Sequence, residues 1–393
     1  MPPASPRPDD LCPRPEPLPP AGSPASPPLY LSSVYACQDI AQADAVLSGR
    51  EAGYAYRRDG HPNAHALAEK CQQLHAAERA AVAASGMGAL ALCLLSQTRQ
   101  GDHVVASDQL YGKSLTLLTQ EAPRLGIDCS VVDACDVRAV QAACRPNTRL
   151  IVVETISNPR LRVADVAALA QVADACGARL LVDNTFASPL VCRPLELGAA
   201  LVHESLTKIM NGHSDVLLGL LAGRQDAWER VPGVLSTWGW TAAPFDCWLA
   251  ARGLATLHLR AERASANALH AAERLRGRPE IAGVDYPGLP EHPDHALAAR
   301  QFGGRFGSMV TFHLAGGRAA ADRFLAGAKQ IPFCPSLGEL HTTLSHPAST
   351  SHRALSPEGR AKLGISEGTI RLSVGTESPE FVWSALEEGL AAC

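Results

Sequence analysis

The sequence predicts an α/β protein: a large domain on a mainly parallel sheet sandwiched by helices, followed by a smaller C-terminal α+β domain. Three observations lead there. Between residues 64 and 182, short β-branched or Leu-rich runs alternate with amphipathic helical stretches, the pattern of βαβ units whose strands are covered on both faces. The 393 residues and 46% hydrophobic content are enough for a large core, and that length suits two or three domains. Beyond about residue 245 the pattern changes to a long helical region and then to isolated strand candidates, which reads as a second unit.

In chain order, residues 1–28 hold 12 of the 29 prolines and almost no large apolar side chain. Such a segment buries too little surface to offset the entropy of ordering, so a disordered tail is expected, and it lacks the apolar core of a secretory signal. Residues 29–62 form an N-terminal arm ending in Tyr54-Ala55-Tyr56-Arg57-Arg58-Asp59-Gly60-His61-Pro62. That cluster reads either as a solvated loop or as phenol and guanidinium groups that clamp a phosphate. The large domain is assigned to residues 63–245, with helices at 64–74, 89–97, 115–125, 137–143 and 165–176 and strands at 103–106, 129–132, 150–154 and 179–182. An apolar run ending at Ser85 precedes Gly86-Met87-Gly88. The C-terminal domain, residues 246–393, is read as one helical region over 246–275 and strands at 308–314 and 369–374.

Charge and cysteine content narrow the function. A net charge of −4 and a pI near 6.4 give no basic footprint, so neither nucleic acid nor an anionic membrane is an expected partner. The longest apolar runs, 89–95 and 216–222, fall short of the roughly 18–20 residues a membrane helix needs. The 12 cysteines include no Cys-x-x-Cys pair, which favours buried free thiols in a reducing cytoplasm over disulfides or zinc. His61 and His65 have helix spacing for a metal but no third ligand nearby, and no metal is expected.

The candidate site centres on Lys208. Only five of the 35 basic residues are lysines (Lys70, Lys113, Lys208, Lys329, Lys362). One placed among Ser205, Thr207, Asn211 and Gly212 suggests chemistry that only an amine performs, such as Schiff-base formation. In open α/β sheets ligands bind beyond the carboxyl ends of the strands. Those ends carry Ser85-Gly86-Met87, Tyr111, Glu154 with Asn158, Asp183, and the stretch from Ser205 to Lys208. Neither Gly-x-Gly-x-x-Gly nor Gly-x-x-x-x-Gly-Lys-Ser/Thr is present, which weighs against NAD and ATP. A carboxylate, an amine, small hydroxyls at a helix N-terminus and an aromatic ring together suit pyridoxal phosphate. Singly, Asp183 reads equally well as a helix cap and Tyr111 as packing.

Ser85-Gly86-Met87-Gly88, Tyr111-Gly112, Glu154-Thr155-x-x-Asn158-Pro159, Val182-Asp183-Asn184-Thr185, Ser205-x-Thr207-Lys208-x-x-Asn211-Gly212-His213-Ser214-Asp215, Tyr286-Pro287-Gly288-Leu289, Ser336-Leu337-Gly338 and Ile370-Arg371-Leu372-Ser373-Val374-Gly375 occur in this order. Together they resemble the pyridoxal-phosphate-dependent Cys/Met-metabolism (transsulfuration) enzymes, a group that includes cystathionine γ-lyase, cystathionine γ-synthase and methionine γ-lyase. The resemblance runs from about residue 28 to the C-terminus and implies the aspartate-aminotransferase-like fold of PLP-dependent transferases, fold type I.

It further implies that Lys208 holds the cofactor covalently, that Asp183 pairs with its pyridine nitrogen, and that Tyr111 stacks on the ring and serves as a general acid. Ser85, Gly86, Met87, Ser205 and Thr207 would bind the phosphate, with Tyr56 and Arg58 reaching in from a neighbouring subunit of a homotetramer built from dimers. Asn158 would touch the ring hydroxyl, and Arg371 with Ser336 would hold the substrate carboxylate. Lys113, Pro335 and the Trp238-Gly239-Trp240 segment depart from residues common in relatives and bear on substrate choice. The expected activity is a carbon–sulfur lyase of the cystathionine γ-lyase kind, giving 2-oxobutanoate and ammonia. The alternatives are γ-replacement on an O-acyl-homoserine, methionine γ-lyase activity and, remotely, a cofactor-free scaffold.

Overall fold

The computed structural model describes residues 7–12 and 24–393. Seven strands form the large sheet: β1 (Arg79–Ala83), β2 (His103–Ser107), β3 (Asp128–Val132), β4 (Thr148–Glu154), β5 (Arg179–Asp183), β6 (Leu201–Ser205) and β7 (Gly219–Gly223), in the order β1-β7-β6-β5-β4-β2-β3. Neighbours from β6 through β3 pair in parallel, whereas β7 runs antiparallel to both β6 and β1. The apolar residues of β4 alternate between two cores. Leu150 and Val152 join the helix Gly86–Gln97 on one face, and Ile151 and Val153 join the helix Val166–Ala175 on the other. That two-faced burial is why the strand reads as a continuous apolar run rather than an alternating one.

The smaller sheet holds β8 (Ile281–Asp285), β9 (Met309–Leu314), β10 (Thr343–Ser345) and β11 (Thr369–Ser373) in the order β10-β11-β9-β8, antiparallel throughout. Two bidentate ion pairs tie it to the loop after β4. Arg160 holds Asp285 at 2.6 and 3.1 Å, and Arg162 holds Asp294 at the same two distances. They fix the small domain, and with it Arg371 on β11, against the strand ends of the large sheet.

The structure departs from the sequence reading in four places. The helical region 246–275 is two helices, Pro244–Leu254 and Leu257–Leu275, parted at Ala255-Thr256. The first packs on the large-domain helix Pro62–Leu74; the second starts against the large domain, where Arg260 donates to the Ile209 and Met210 carbonyls, and runs on to β8 and β9. The helix expected at 115–125 starts at Gly112 and opens into a wider turn over Leu117–Glu121. Strands β7, β8 and β10 were not read as strands, because runs of three to five residues, two of them containing Gly, carry little β signal. Finally, part of the expected disordered tail is folded: Pro8–Leu11 forms a helical turn with Leu11 and Cys12 buried, and Asp9 pairs with Arg305 at 2.7 Å. One turn is too short to show a period in sequence. Residues 1–6 and 13–23 of that tail lie outside the described residues.

Candidate active site

The ends of β4, β5 and β6 bring the chemistry together. Glu154 and Asp183 close their strands in register with one another. Asp183 accepts a hydrogen bond from the Thr185 main-chain N–H at 3.0 Å, and its other oxygen lies 2.9 Å from Nδ1 of His203. His203 Nε2 is 2.8 Å from the Gly86 carbonyl, an acceptor, so both ring nitrogens point at acceptors. Burial disfavours the Asp183 charge, but His203 and the Thr185 hydrogen bonds outweigh it and hold the carboxyl below its usual range. His203 shows the mirror image: burial lowers its pKa, Asp183 and Gly86 raise it, and the net shift is upward. The result is an ionised Asp183 braced by a cationic imidazole.

Lys208 stands in the turn after β6, its Nζ donating to Ser336 Oγ at 2.8 Å. Burial pushes the amine's pKa down, with Glu339 opposing and Arg371 adding to the effect, the direction an amine needs in order to act as nucleophile or base. Arg371 is buried and spans the domains, donating to Asn158 Oδ1 and to the Ser336 carbonyl, each at 2.9 Å. Its Nε has no hydrogen-bond partner among the described residues, and burial lowers its pKa to about 10. Ser336 thus touches both the amine and the guanidinium. The approach depends on Gly338, which has φ +82° and where a Cβ would sit 2.5 Å from the Ile209 nitrogen. Only glycine fits both constraints.

At the N-terminus of the helix Gly86–Gln97, Ser85 Oγ caps by accepting the Gly88 N–H at 3.0 Å. A Cβ on Gly86 would lie 3.0 Å from the Ser205 Cβ, so Ser205 faces the first helical turn. Met87 packs into the core behind it. Thr207 Oγ1 accepts the Leu218 N–H at 3.1 Å. Tyr111, 43% exposed, leads into the helix Gly112–Thr116, and its main-chain N–H donates to Glu154 Oε1 at 2.6 Å.

Of the sequence candidates, Ser85, Gly86, Met87, Tyr111, Asn158, Asp183, Ser205, Thr207, Lys208, Ser336 and Arg371 fall around this one end of the sheet. Tyr56 and Arg58 do not join them. Arg58 lies over the Tyr56 ring at 5.1 Å, and among the described residues no hydrogen bond or ion pair links either to Lys208, Asp183 or Arg371. His61 caps the helix Pro62–Leu74, accepting from the Ala64 N–H and bonding the Ala242 carbonyl, so both ring nitrogens are structural. Sequence reasoning missed His203 as Asp183's partner, since nothing local marks a residue twenty positions away. It also missed Gly219 on β7, where a Cβ would sit 2.2 Å from the Ser85 carbonyl.

Across residues 18–391 the sequence matches the family of Cys/Met metabolism PLP-dependent enzymes. The chain belongs to this family. An O-succinylhomoserine sulfhydrylase from Pseudomonas aeruginosa is 41% identical over 93% of this chain and 90% of the relative. An L-methionine γ-lyase from Porphyromonas gingivalis is 39% identical over 92% of each chain. A cystathionine γ-synthase structure from Xanthomonas oryzae, in complex with aminoacrylate and cysteine, superposes with a TM-score of 0.92 at 35% identity, covering 98% of both chains. A Campylobacter jejuni structure carrying N′-pyridoxyl-lysine-5′-monophosphate gives 0.94 at 27% identity, covering 98% of this chain and all of that one.

The chain is therefore a PLP-dependent enzyme of Cys/Met metabolism, and its residues fit the cofactor. A deprotonatable amine, an ionised carboxylate held by a cationic His, and a helix N-terminus lined by Ser205 and kept open by Gly86 would suit an aldehyde, a pyridine nitrogen and a phosphate.

Proposed function

We propose that the enzyme acts at the γ-carbon of a homoserine- or homocysteine-derived amino acid, and that its main reaction is γ-replacement on an O-acyl-homoserine by a small sulfur nucleophile. The observation that carries the site assignment is Ser336, which accepts from Lys208 Nζ at 2.8 Å and, through its carbonyl, from Arg371 at 2.9 Å. The amine and the carboxylate-binding cation are thereby set at one place, as an α-amino acid requires. When bound, pyridoxal phosphate draws electron density from the substrate's α-carbon into its ring.

In this reading Lys208 holds the cofactor and, once free, removes the α-proton; its depressed basicity suits it to that task. Asp183, braced by His203, keeps a positive charge on the ring nitrogen. Arg371 and Ser336 fix the substrate carboxylate, with Asn158 orienting both Arg371 and the ring hydroxyl. Tyr111 stacks on the ring and supplies a proton to the leaving group. Ser85, Gly86, Met87, Ser205 and Thr207 receive the phosphate. Tyr56 and Arg58 complete the phosphate site of a neighbouring subunit, within a homotetramer whose N-terminal arm, residues 29–62, lies on that neighbour. All 12 cysteines are free, as suits a reducing cytoplasm.

The choice of replacement over the elimination expected from sequence rests on the 41% identity to an O-succinylhomoserine sulfhydrylase. Elimination of cystathionine γ-lyase or methionine γ-lyase type is the second reading, supported by the 39% identity to a methionine γ-lyase. Purified enzyme should be incubated with O-succinyl- and O-acetyl-homoserine plus sulfide or cysteine, and separately with cystathionine and methionine, and the products weighed by mass spectrometry. Thiol incorporation is expected. Formation of 2-oxobutanoate alone would establish the second reading, and no turnover of any γ-substituted amino acid would overturn both.

A further inference from the structure

Glu154 stands among the strand-end residues of the site expected from sequence, where it was given no role, yet it occupies a central position there. It is the last residue of β4, in register with Asp183 at the end of β5, and in a parallel pair side chains in register leave the same face of the sheet. Two carboxyl groups thus share one buried strand end. Their surroundings differ. Asp183 has one oxygen on the Thr185 N–H and the other on His203, partners that stabilise an anion. Glu154 has Oε1 on the Tyr111 N–H at 2.6 Å, while Oε2 is enclosed without a hydrogen bond among the described residues.

An enclosed carboxylate oxygen with no donor is costly as an anion, and a second ionised carboxylate beside the first is costlier still. The charged groups acting on Glu154 are Asp183 and Arg371. Arg371 directs its hydrogen bonds to Asn158 and Ser336 rather than to Glu154. We infer that Glu154 is a positioning residue working as the neutral acid, its carbonyl oxygen anchoring the main chain of Tyr111 and its other, enclosed oxygen carrying the proton. The two carboxyls divide their roles by environment, one charged and one neutral. Burial, foremost, and the Asp183 charge move Glu154 well above the ordinary carboxyl range, against weaker opposition from the Tyr111 and Asn158 N–H groups and Arg371.

The anchor matters because little else fixes Tyr111. Its ring is half exposed, and the five-residue helix it begins has no side-chain cap. The bond from Glu154 ties that turn to the strand next to Asp183, setting the ring's height above the sheet. The consequence for the cofactor rests on the proposed stacking of Tyr111, but the protonation state of Glu154 is measurable with neither cofactor nor substrate present.

Infrared difference spectra of cofactor-free wild type and Glu154→Gln at neutral pH provide the first arm. Wild type should carry the C=O stretch of a buried protonated carboxyl that the variant lacks. Absence of that band from the difference spectrum would overturn the inference. The second arm is a pyridoxal phosphate titration followed by absorbance and protein fluorescence. Glu154→Gln keeps a neutral acceptor and a donor, so its dissociation constant should match wild type. Glu154→Ala should weaken binding roughly threefold to tenfold, the worth of one hydrogen bond. If Glu154→Gln, shown folded by circular dichroism, binds as poorly as Glu154→Ala, the carboxylate form is the working one and the inference fails. A wild type that takes up no pyridoxal phosphate would instead sink the cofactor placement, leaving the infrared arm to decide Glu154 by itself.

Discussion

The strand-end region around Asp183 and the N-terminal arm around Tyr56 carry comparable chemistry but differ in how their residues are held. At the strand ends Asp183, His203, Lys208, Ser336, Asn158 and Arg371 find partners within the chain, at 2.8–3.0 Å. In the arm Leu31, Val34, Ile40 and Leu47 are 63%, 63%, 89% and 66% exposed, and among the described residues Arg58 has only the face of Tyr56 and a main-chain tie to Thr241. Apolar side chains that exposed, in sequence next to a phenol and a guanidinium, are what a surface awaiting a second copy looks like. The difference separates an end of the site that folding alone preorganises from an arm that, in the proposed reading, a second copy would complete.

The largest effect should come from the preorganised side. Lys208→Ala should lower turnover by at least about 10²–10⁴-fold, the contribution of a positioned acid–base group, and remove the absorbance band of lysine-bound cofactor; wild-type spectra and rates in that variant would break the assignment. Arg371→Ala should cost about 1.5–3 kcal/mol in kcat/KM, or roughly 10- to 150-fold, since a charged hydrogen bond is lost. Steady-state kinetics across substrate concentrations would check it, and a variant with unaltered kcat/KM would release Arg371 from substrate binding.

Arg58→Ala tests the assembled side. Its effect should be smaller, about tenfold in cofactor affinity, and should depend on protein concentration because in the proposed assembly the missing contact would lie across an interface. Mixing Arg58→Ala with Lys208→Ala subunits under exchange conditions should raise activity above both parents, since some sites then receive wild-type Lys208 and Arg58. If native mass spectrometry confirms exchange and activity stays at the weighted mean of the parents, Arg58 acts within its own subunit and the contrast between the two regions collapses.

Gly219→Ala should destabilise the folded chain by about 1–3 kcal/mol, the usual penalty for forcing atoms into a filled site, because its Cβ would sit 2.2 Å from the Ser85 carbonyl; urea denaturation of the cofactor-free protein measures this. The smallest expected effect is the pH response of the Asp183–His203 pair. His203 is raised from 6.5 in the folded chain, so its contribution is complete below 6.5 and lost as pH rises through the folded value. Asp183 is lowered from 3.8, so its contribution is complete above 3.8 and lost as pH falls through the folded value. Subtracting the stability profile of His203→Asn from that of wild type should therefore give a plateau between those limits that declines on the alkaline side. A flat difference would mean the imidazole carries no charge.

The sequence by itself determined the βαβ alternation, the residues at the strand ends and the amine among small polar neighbours, because these depend on local periodicity and on residue chemistry that no tertiary contact alters. Lys208, Asp183 and Arg371 were legible as a set because their motifs recur in one order along the chain. Tertiary structure decided what lies far apart in sequence. It set His203 against Asp183, put Ser336 between Lys208 and Arg371, and left Glu154 with a bare oxygen beside a charged neighbour. It also cut the long helical region at Ala255-Thr256 and folded Pro8–Leu11 onto the body of the protein. Charge state and the place where a helix breaks both follow from the company a residue keeps after folding, and a strand's period or a turn's composition does not encode that company.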